Sequence, residues 1–526
     1  MWHQLVHDSF TGRFLRYVSR GKLFPYEGDE SPAVLKRFSV KEESPVEDAE
    51  SAEEGKDPLL VDWYGPDDPE NPLNWSSLTK AAVTFQLCFL TFAVYVGSSI
   101  YTAGIPSLIE DFQVSQVVAT LGLTVFVLGY GLGPMTFAPL SEVPAIGRNP
   151  VYILSLALFV VLQVPTALSV DIGMLLVFRF ITGVLGSPAL ATGGASIAEL
   201  YSPQKRALGI GIWGLACVCG PALGPLLGGF AAHAKGWRWT MWVLMWIAGL
   251  NLLMLLVFLP ETSSKNILYR RARRLRRLTG NDKLKTKAEM AFQQVTVVKI
   301  AQMTIVRPWV LTFTEPLIFL LHMWVALIFG ILFVWFESFP LVFVGIYGFS
   351  LGQTGLAFIG LLIGGLASVP PFVWYCRSVQ EKQFTESGQI TKPEFRLPPS
   401  MVGAICLPVC LFWFGWSARP DIHWILCICG TAFFAIGTLL VVNSVLNYLP
   451  DAYPAEIPSV MAGNAFIRFS SGAAFPLFAP AMFHRLGIGW ASTLLAFLTI
   501  VFVPIPFAFY LYGEKLRKRS KRARKD

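Results

Sequence analysis

Five ionisable side chains stand inside otherwise apolar stretches: Arg179, Glu315, His322, Glu337 and Arg468. Such groups are costly in apolar surroundings, and where they occur they mark ion or proton paths. Histidine titrates near neutral pH, so His322 is suited to taking up and releasing a proton. Glu315, just before Pro316, is read as lying about one turn inside its stretch, where burial favours the protonated carboxyl. Either group would change charge as a site alternates between two solutions. A packing role for His322 and a water-facing helix end for Glu315 stay open as alternatives. Arg179 costs roughly 2.5–3.5 kcal/mol to bury on insertion scales, so it must face other protein, unless it snorkels to the surface. No nucleophile–base pair, phosphate-cradling glycine loop or metal-ligand set accompanies these residues. The cysteines are scattered through apolar runs with no CxxC pair. An enzyme is therefore not expected, and no metal or cofactor is implied.

The elements that must hold these groups follow from hydropathy. The chain is 54% hydrophobic and 14% charged, well short of the charge a soluble domain carries. The charges crowd into the first 80 residues, 260–308, 377–397 and the end of the chain. Between them run apolar stretches long enough to cross about 30 Å of hydrocarbon as helices. Backbone groups in lipid must be paired within the segment, which selects helix, and the runs do not alternate as barrel strands would. Twelve spans are expected: 81–103, 116–138, 151–169, 172–198, 208–232, 238–259, 309–334, 354–376, 400–418, 422–448, 457–483 and 489–512. The fold class is an all-α polytopic membrane protein.

Charge sets the expected orientation. With both termini on the cytosolic side, 36 of the 42 Lys and Arg fall in cytosolic segments, 12 of them in residues 260–308. The outer loops hold Lys235, Arg238, Arg419 and Arg485. Basic inner segments are the expected neighbours of anionic lipid and need no nucleic-acid partner. The domains read as a cytosolic tail, 1–79; a six-helix half, 80–260; a basic central loop, 261–308; a second six-helix half, 309–512; and a basic tail, 513–526. Within the first tail, Arg13, Arg16 and Arg20 with Phe10, Phe14 and Tyr17 suit a basic amphipathic helix on an anionic leaflet, or a mobile tail with helical tendency. Residues 27–57 are acidic and polar, as in disordered segments.

Three motifs carry a resemblance. The second span leads into Gly131, Gly133, Pro139, Ser141 and Glu142, then Gly147 and Arg148. Glycines permit a tight turn, and Glu142 and Arg148 can pair at an inner gate. The fourth span runs from Arg179 through Gly183, Gly186, Pro188, Gly193 and Gly194 to Glu199. The fifth holds Gly214, Gly220, Pro221, Gly224, Pro225, Gly228 and Gly229. Glycines every four residues give one smooth helix face, and the prolines favour a bend, which suits a seam between two rocking halves. Six plus six spans with these motifs resemble the major facilitator superfamily, whose substrate site lies between the halves near the midplane. Within it the chain is similar to the fungal drug:proton antiporters of the twelve-span type, in the benomyl, methotrexate and fluconazole resistance branch. Further likeness lies in Asp451 to Pro454, Ala462 to Arg468, Phe475 to Phe478 and the leader Asp8 to Arg13. The chain departs from the general superfamily loop by carrying Glu142 where Asp is usual.

The resemblance implies proton coupling at Arg179 and proton-driven export of diverse hydrophobic drugs, such as azoles, cycloheximide and benomyl, by a monomer in the plasma membrane. The proton gradient would be the energy source. Cavity candidates, chosen as polar-tipped aromatics and amides, are Tyr95, Ser98, Ser99, Tyr101 and Gln163 in the first half. In the second half they are Trp324, Phe329, Trp335, Asn443, Asn447, Asn464, Arg468 and Phe469. An exporter dedicated to one endogenous metabolite uses the same parts. A proton symporter and a non-transporting sensor are the other readings. Sensors of that kind carry a long signalling tail, and only 14 residues follow position 512.

Overall fold

The structure, a computed structural model, describes residues 2–19, 22–23, 26, 38, 59–293, 302–386 and 392–525. The acidic stretch 27–57 lies outside these residues except for Phe38.

Helix starts follow side-chain caps. The first half contains α1, Ser77–Ser99, capped by Ser76, and α2, Gln116–Glu142, capped by Ser115. It continues with α3, Asn149–Ala167, and α4, Ile172–Leu200, capped by Asp171. Helices α5, Arg206–Lys235, and α6, Trp237–Phe258, complete it. The second half opens with α7, Pro316–Phe339. Then come α8, Ile359–Tyr375, entered through a short helix Leu351–Ala357, α9, Pro398–Ser417, and α10, Ile425–Ala452.

Among the described residues eleven helices are long and apolar enough to cross a membrane, and the last, Ile457–Arg519, has 63 residues. Straight, it would measure about 95 Å at 1.5 Å per residue, some three bilayer cores. It bends at Gly487, whose φ of 74° is a left-handed conformation that glycine adopts without penalty. The break yields α11, 457–486, and α12, which starts at 488 and runs on through Pro504–Arg519. Twelve crossings result, and the basic end of the chain is helical as far as Arg519 rather than a plain tail from 513.

The seventh span is displaced from its expected 309–334. A separate helix, Arg307–Thr314, precedes it, and α7 begins only at Pro316. Proline has no N–H and pushes the preceding residue out of helix, so Glu315 is extended, with φ −109° and ψ 105°. Glu315 is thus at the hinge before the span, not one turn inside it.

Each half packs internally: α2 on α4, α1 on α5, α3 on α6, then α7 on α11, α9 on α10, and α8 on α10. The halves meet where α2 lies on α11 and where α5 lies on α8 and α10. The end of the bundle where α1 begins and α2 finishes also carries the connection between the halves; it is called the basic end below. The leader helix Phe10–Val18 is docked there, with Leu5 buried and the Thr11 hydroxyl donating to the Leu256 carbonyl at 2.8 Å. The connection is folded too. Its helix Ser264–Thr279 presents Arg271 to Asp68 in a bidentate pair of 2.6 and 3.0 Å, both side chains buried.

Candidate functional site

Helices α5, α7, α8, α10 and α11 line a narrow cavity between the halves, with about 30 Å³ of free space. Its walls are apolar and aromatic, with Trp213, Phe329, Leu332 and Phe434 facing Cys217, Leu361 and Leu446. Two strongly polar groups reach it, Asn443 and Arg468. Neither Asn443 amide atom has a hydrogen-bond partner, although the residue is 1% exposed. The Arg468 guanidinium lies over Phe469 at 4.5 Å and Phe329 at 4.7 Å, and its buried Nε is unpartnered. Mostly apolar walls with a few converging polar atoms are the lining of a small-molecule site, and in this conformation the space is drawn in to about the size of one water. A smaller cavity, lined by Asn443, Asn447, Gln380 and Arg396, adjoins it on the way to the basic end.

Among the expected cavity residues, Phe329, Asn443 and Arg468 line the larger space and Asn447 the smaller one. The others are spent on packing. Ser98 and Ser99 donate to carbonyls of Tyr95 and Gly220. The Tyr101 hydroxyl donates to the Ala119 carbonyl at 2.7 Å. Trp335 packs against Phe434 at 4.5 Å from behind the wall. Phe469 touches the rings of Tyr95, Tyr130 and Phe329, forming a layer beside the cavity. Trp324, Gln163 and Asn464 are buried without lining it. Trp213 and Cys217 were not among the expected lining residues. Their spacing of four on α5, one turn from Gly220, is the signal that places them on one face.

The far end is closed. Glu337, near the end of α7, is 7% exposed. It accepts from Gln116 Nε2 at 3.3 Å and Thr120 Oγ1 at 3.4 Å, both on α2 of the other half. The Thr124 hydroxyl donates across the same seam to the Ala473 carbonyl at 3.0 Å. The same stretch of α2 is also held by Arg179 of α4, which donates to the Gly122 carbonyl of α2 at 3.1 Å and the Gly97 carbonyl of α1 at 2.9 Å. Arg179 is fully buried, its guanidinium 3.9 Å above Phe126, so it does not snorkel. His322 and Glu315 lie elsewhere, in the basic half of the second bundle. His322 is 3.1 Å from the Thr312 hydroxyl, and Glu315 accepts from Tyr453 at 3.4 Å. The three proposed proton groups are therefore not brought together.

At the basic end Arg148 bridges Glu142 at 3.0 Å and Glu199 at 2.6 Å, and Lys265 reaches Glu142 at 2.7 Å. Burial works against the Arg148 charge, but Glu199 and Glu142 outweigh it and hold the guanidinium above its ordinary value. Gly147 has φ of 77°, and its turn lets the Arg148 and Asn149 N–H groups donate to Glu261. All of these residues belong to the first half and the connection after it. Glu142 and Arg148 pair with each other, and with Glu199, Glu261 and Lys265 they tie α2, α3, α4 and the connection into one body. A comparable set in the second half joins Arg396 to Asp451 at 2.9 Å and Arg517 to Glu394 at 2.8 Å.

The glycine face of α5 also differs from expectation. Cβ atoms added at Gly220, Gly224 and Gly228 would meet Tyr95, Ser99 and Ile100 of α1, so this face packs within the first half. One residue further along is about 100° further round a helix, and that stripe makes the seam. A Cβ on Gly214 would lie 2.5 Å from Asn443, and one on Gly229 2.5 Å from the Leu351 carbonyl. Gly355 of the facing segment lies as close to the Pro225 carbonyl. At Gly229 and Gly355 backbone meets backbone, so the two halves approach closely there.

Comparison with known proteins agrees with this architecture. The sequence profile described as Major Facilitator Superfamily matches residues 87–476. The chain is 47% identical to "Transporter mfs1" of Schizosaccharomyces pombe, over 88% of each. It is 38% identical to the "Cycloheximide resistance protein" of Candida maltosa, over 98% of this chain and 99% of that one. It is 42% identical to "Fluconazole resistance protein 1" of Saccharomyces cerevisiae, over 92% of this chain and 88% of the other. Among solved structures, the proton:xylose symporter XylE superposes with a TM-score of 0.58 at 15% identity, covering 83% of this chain and 97% of that one. At that identity the likeness speaks for the fold.

Proposed function

Since the chain belongs to the major facilitator superfamily, we propose that it is a proton-driven exporter of hydrophobic drugs. It works as a monomer in the plasma membrane with both termini cytosolic, and it confers resistance to several unrelated compounds. The observation that carries this reading is the apolar, aromatic-lined cavity at the seam, shut at the far end by contacts between α2 and α7. A cavity that opens to one side at a time, as rigid halves rock about backbone-to-backbone contacts, moves its contents across a membrane. The names of the relatives, a cycloheximide and a fluconazole resistance protein, favour drugs as cargo and export as direction.

Proton coupling needs a group whose charge state differs between the two orientations. Of the buried ionisable residues, Glu337 is the one whose side chain bonds the opposite half. We assign it the proton. Arg179 acts through it, by fixing the turns of α2 that Glu337 grips. Glu315 and His322 are hinge and packing groups on this reading.

The test is reconstitution in liposomes under an imposed proton gradient, without ATP, against a panel of unrelated drugs. Movement of several drugs opposite to protons is expected. Movement of a single compound would indicate a dedicated metabolite exporter, and movement along with protons a symporter. With folded protein and no movement of any compound, the proposal fails.

A further inference from the structure

We infer that the seam cavity sorts its cargo by charge: it takes aromatic compounds that are neutral or anionic and present a hydrogen-bond acceptor, and it rejects permanent cations. This rests on the reading of the cavity as the cargo site.

The wall contains one charged side chain, Arg468, and no carboxylate. Arg468 is 5% exposed, and no acidic side chain among the described residues pairs with it. A guanidinium withdrawn from water without an anion leaves its donors under-used, and an acceptor on a bound molecule supplies what is missing. A bound cation would instead set like charges close together in a weakly screening space. Asn443 adds a second demand. Both of its amide atoms are buried and unpartnered at the junction of the two cavities. A carbonyl or ring nitrogen would be met by the amide N–H, and a donor by the amide oxygen.

The aromatic walls argue the same way once Arg468 is counted. Aromatic faces alone attract cations. Here two faces nearest the polar corner, Phe329 and Phe469, are already covered by the Arg468 guanidinium at 4.7 and 4.5 Å. What remains open, Trp213, Phe434 and the outer part of Phe329, offers flat apolar contact to an aromatic ring. The route to the basic end passes a further guanidinium, Arg396, which is already paired with Asp451 and Gln380.

The experiment uses one aromatic scaffold in three charge forms: a neutral amide, its carboxylate and its quaternary ammonium. Binding to the purified full-length protein is read by quenching of tryptophan fluorescence, with Trp213→Phe reporting which part of the signal arises at the wall. Transport of the three forms is measured separately in liposomes. The neutral and carboxylate forms should bind, with the ammonium form weaker by at least about tenfold. Arg468→Gln should erase the advantage of the carboxylate over the amide, and Arg468→Lys should keep it. Equal binding of the ammonium form by the wild-type protein overturns the inference, as does an unchanged order in Arg468→Gln or no binding of any form. Should the predicted order appear in binding while nothing is transported, the charge selection stands and the export reading falls.

Discussion

Replacing Glu337 by glutamine isolates the proposed proton group. In the closed far end the carboxyl is 7% exposed and meets two neutral donors at 3.3 and 3.4 Å. An ionised acidic side chain in a spanning helix costs roughly 2.5–3.5 kcal/mol on insertion scales. The two hydrogen bonds to the carboxylate are charge-assisted, but at 3.3 and 3.4 Å they are long and return about 1 kcal/mol each rather than the roughly 1.5–3 of a well-formed one. The closed state is then disfavoured by about 0.5–1.5 kcal/mol when Glu337 is charged, a factor of roughly 2–13. The neutral acid carries no such penalty, so a proton taken from the outer solution allows the far end to close. Wild-type export should therefore slow as external pH rises, because the emptied carrier stays open. In Glu337→Gln the far end closes at any pH, so export should lose its dependence on external pH. The variant should also lose uphill movement, since nothing exchanges a proton, yet it should still swap drug for drug across the membrane at zero gradient. Thr120→Val, which removes one donor, should raise the penalty and shift the pH response to lower values. The assay is drug movement in liposomes at a series of external pH values, with exchange measured in parallel. Uphill, pH-dependent export by Glu337→Gln would refute the assignment.

Three further outcomes follow from the packing. Arg271→Ala strands buried Asp68 without its cation, which costs about 3–5 kcal/mol, so backbone amides of 59–75 should exchange with solvent far faster while the spanning helices stay protected. The same pair gives a pH signature: burial raises the Asp68 carboxyl, but the Arg271 bonds and the Tyr64 N–H outweigh it and hold it below its ordinary 3.8. Its stabilisation is thus complete above about pH 4 and lost only as pH falls through the depressed value, so intrinsic-rate-corrected exchange there should be flat from pH 7 to 5. Gly228→Ala places a Cβ 2.5 Å from the Ile100 carbonyl oxygen, which forces α1 and α5 apart at about 1–3 kcal/mol, and thermal unfolding in detergent should fall accordingly. Gly214→Ala, aimed at the end of the Asn443 side chain rather than at backbone, should unfold close to wild type but bind cargo more weakly, as ligand titration would read.

The twelve crossings were legible because hydropathy and the lipid's demand for paired backbone act on every residue of a span. The ends of spans were less so. Glu315 sits in an apolar run, and only the local geometry of the Glu315–Pro316 step shows that the run is two helices. Facing was the harder matter. Gly220, Gly224 and Gly228 look like the seam because they are regular, yet a neighbouring stripe about 100° away makes it. Small residues on both stripes leave the sequence no means of telling them apart. Asn443 and Arg468 were recognisable as polar groups in apolar surroundings. Trp213 was not, because one tryptophan among 16 carries no mark of its position. The Arg148 cluster was half visible: Glu142 is close in sequence, while Glu199 and Glu261 join it only through the fold.

Coupling is the centre of the account, and it is tested by running the carrier backwards from the drug side. Liposomes with a pH-sensitive dye inside, and no pH difference at the start, are given a steep drug gradient. Obligate exchange predicts that drug flow in one direction drives protons in the other, so the internal pH moves at once and stops moving in Glu337→Gln. Drug flow with an unchanged internal pH would contradict it.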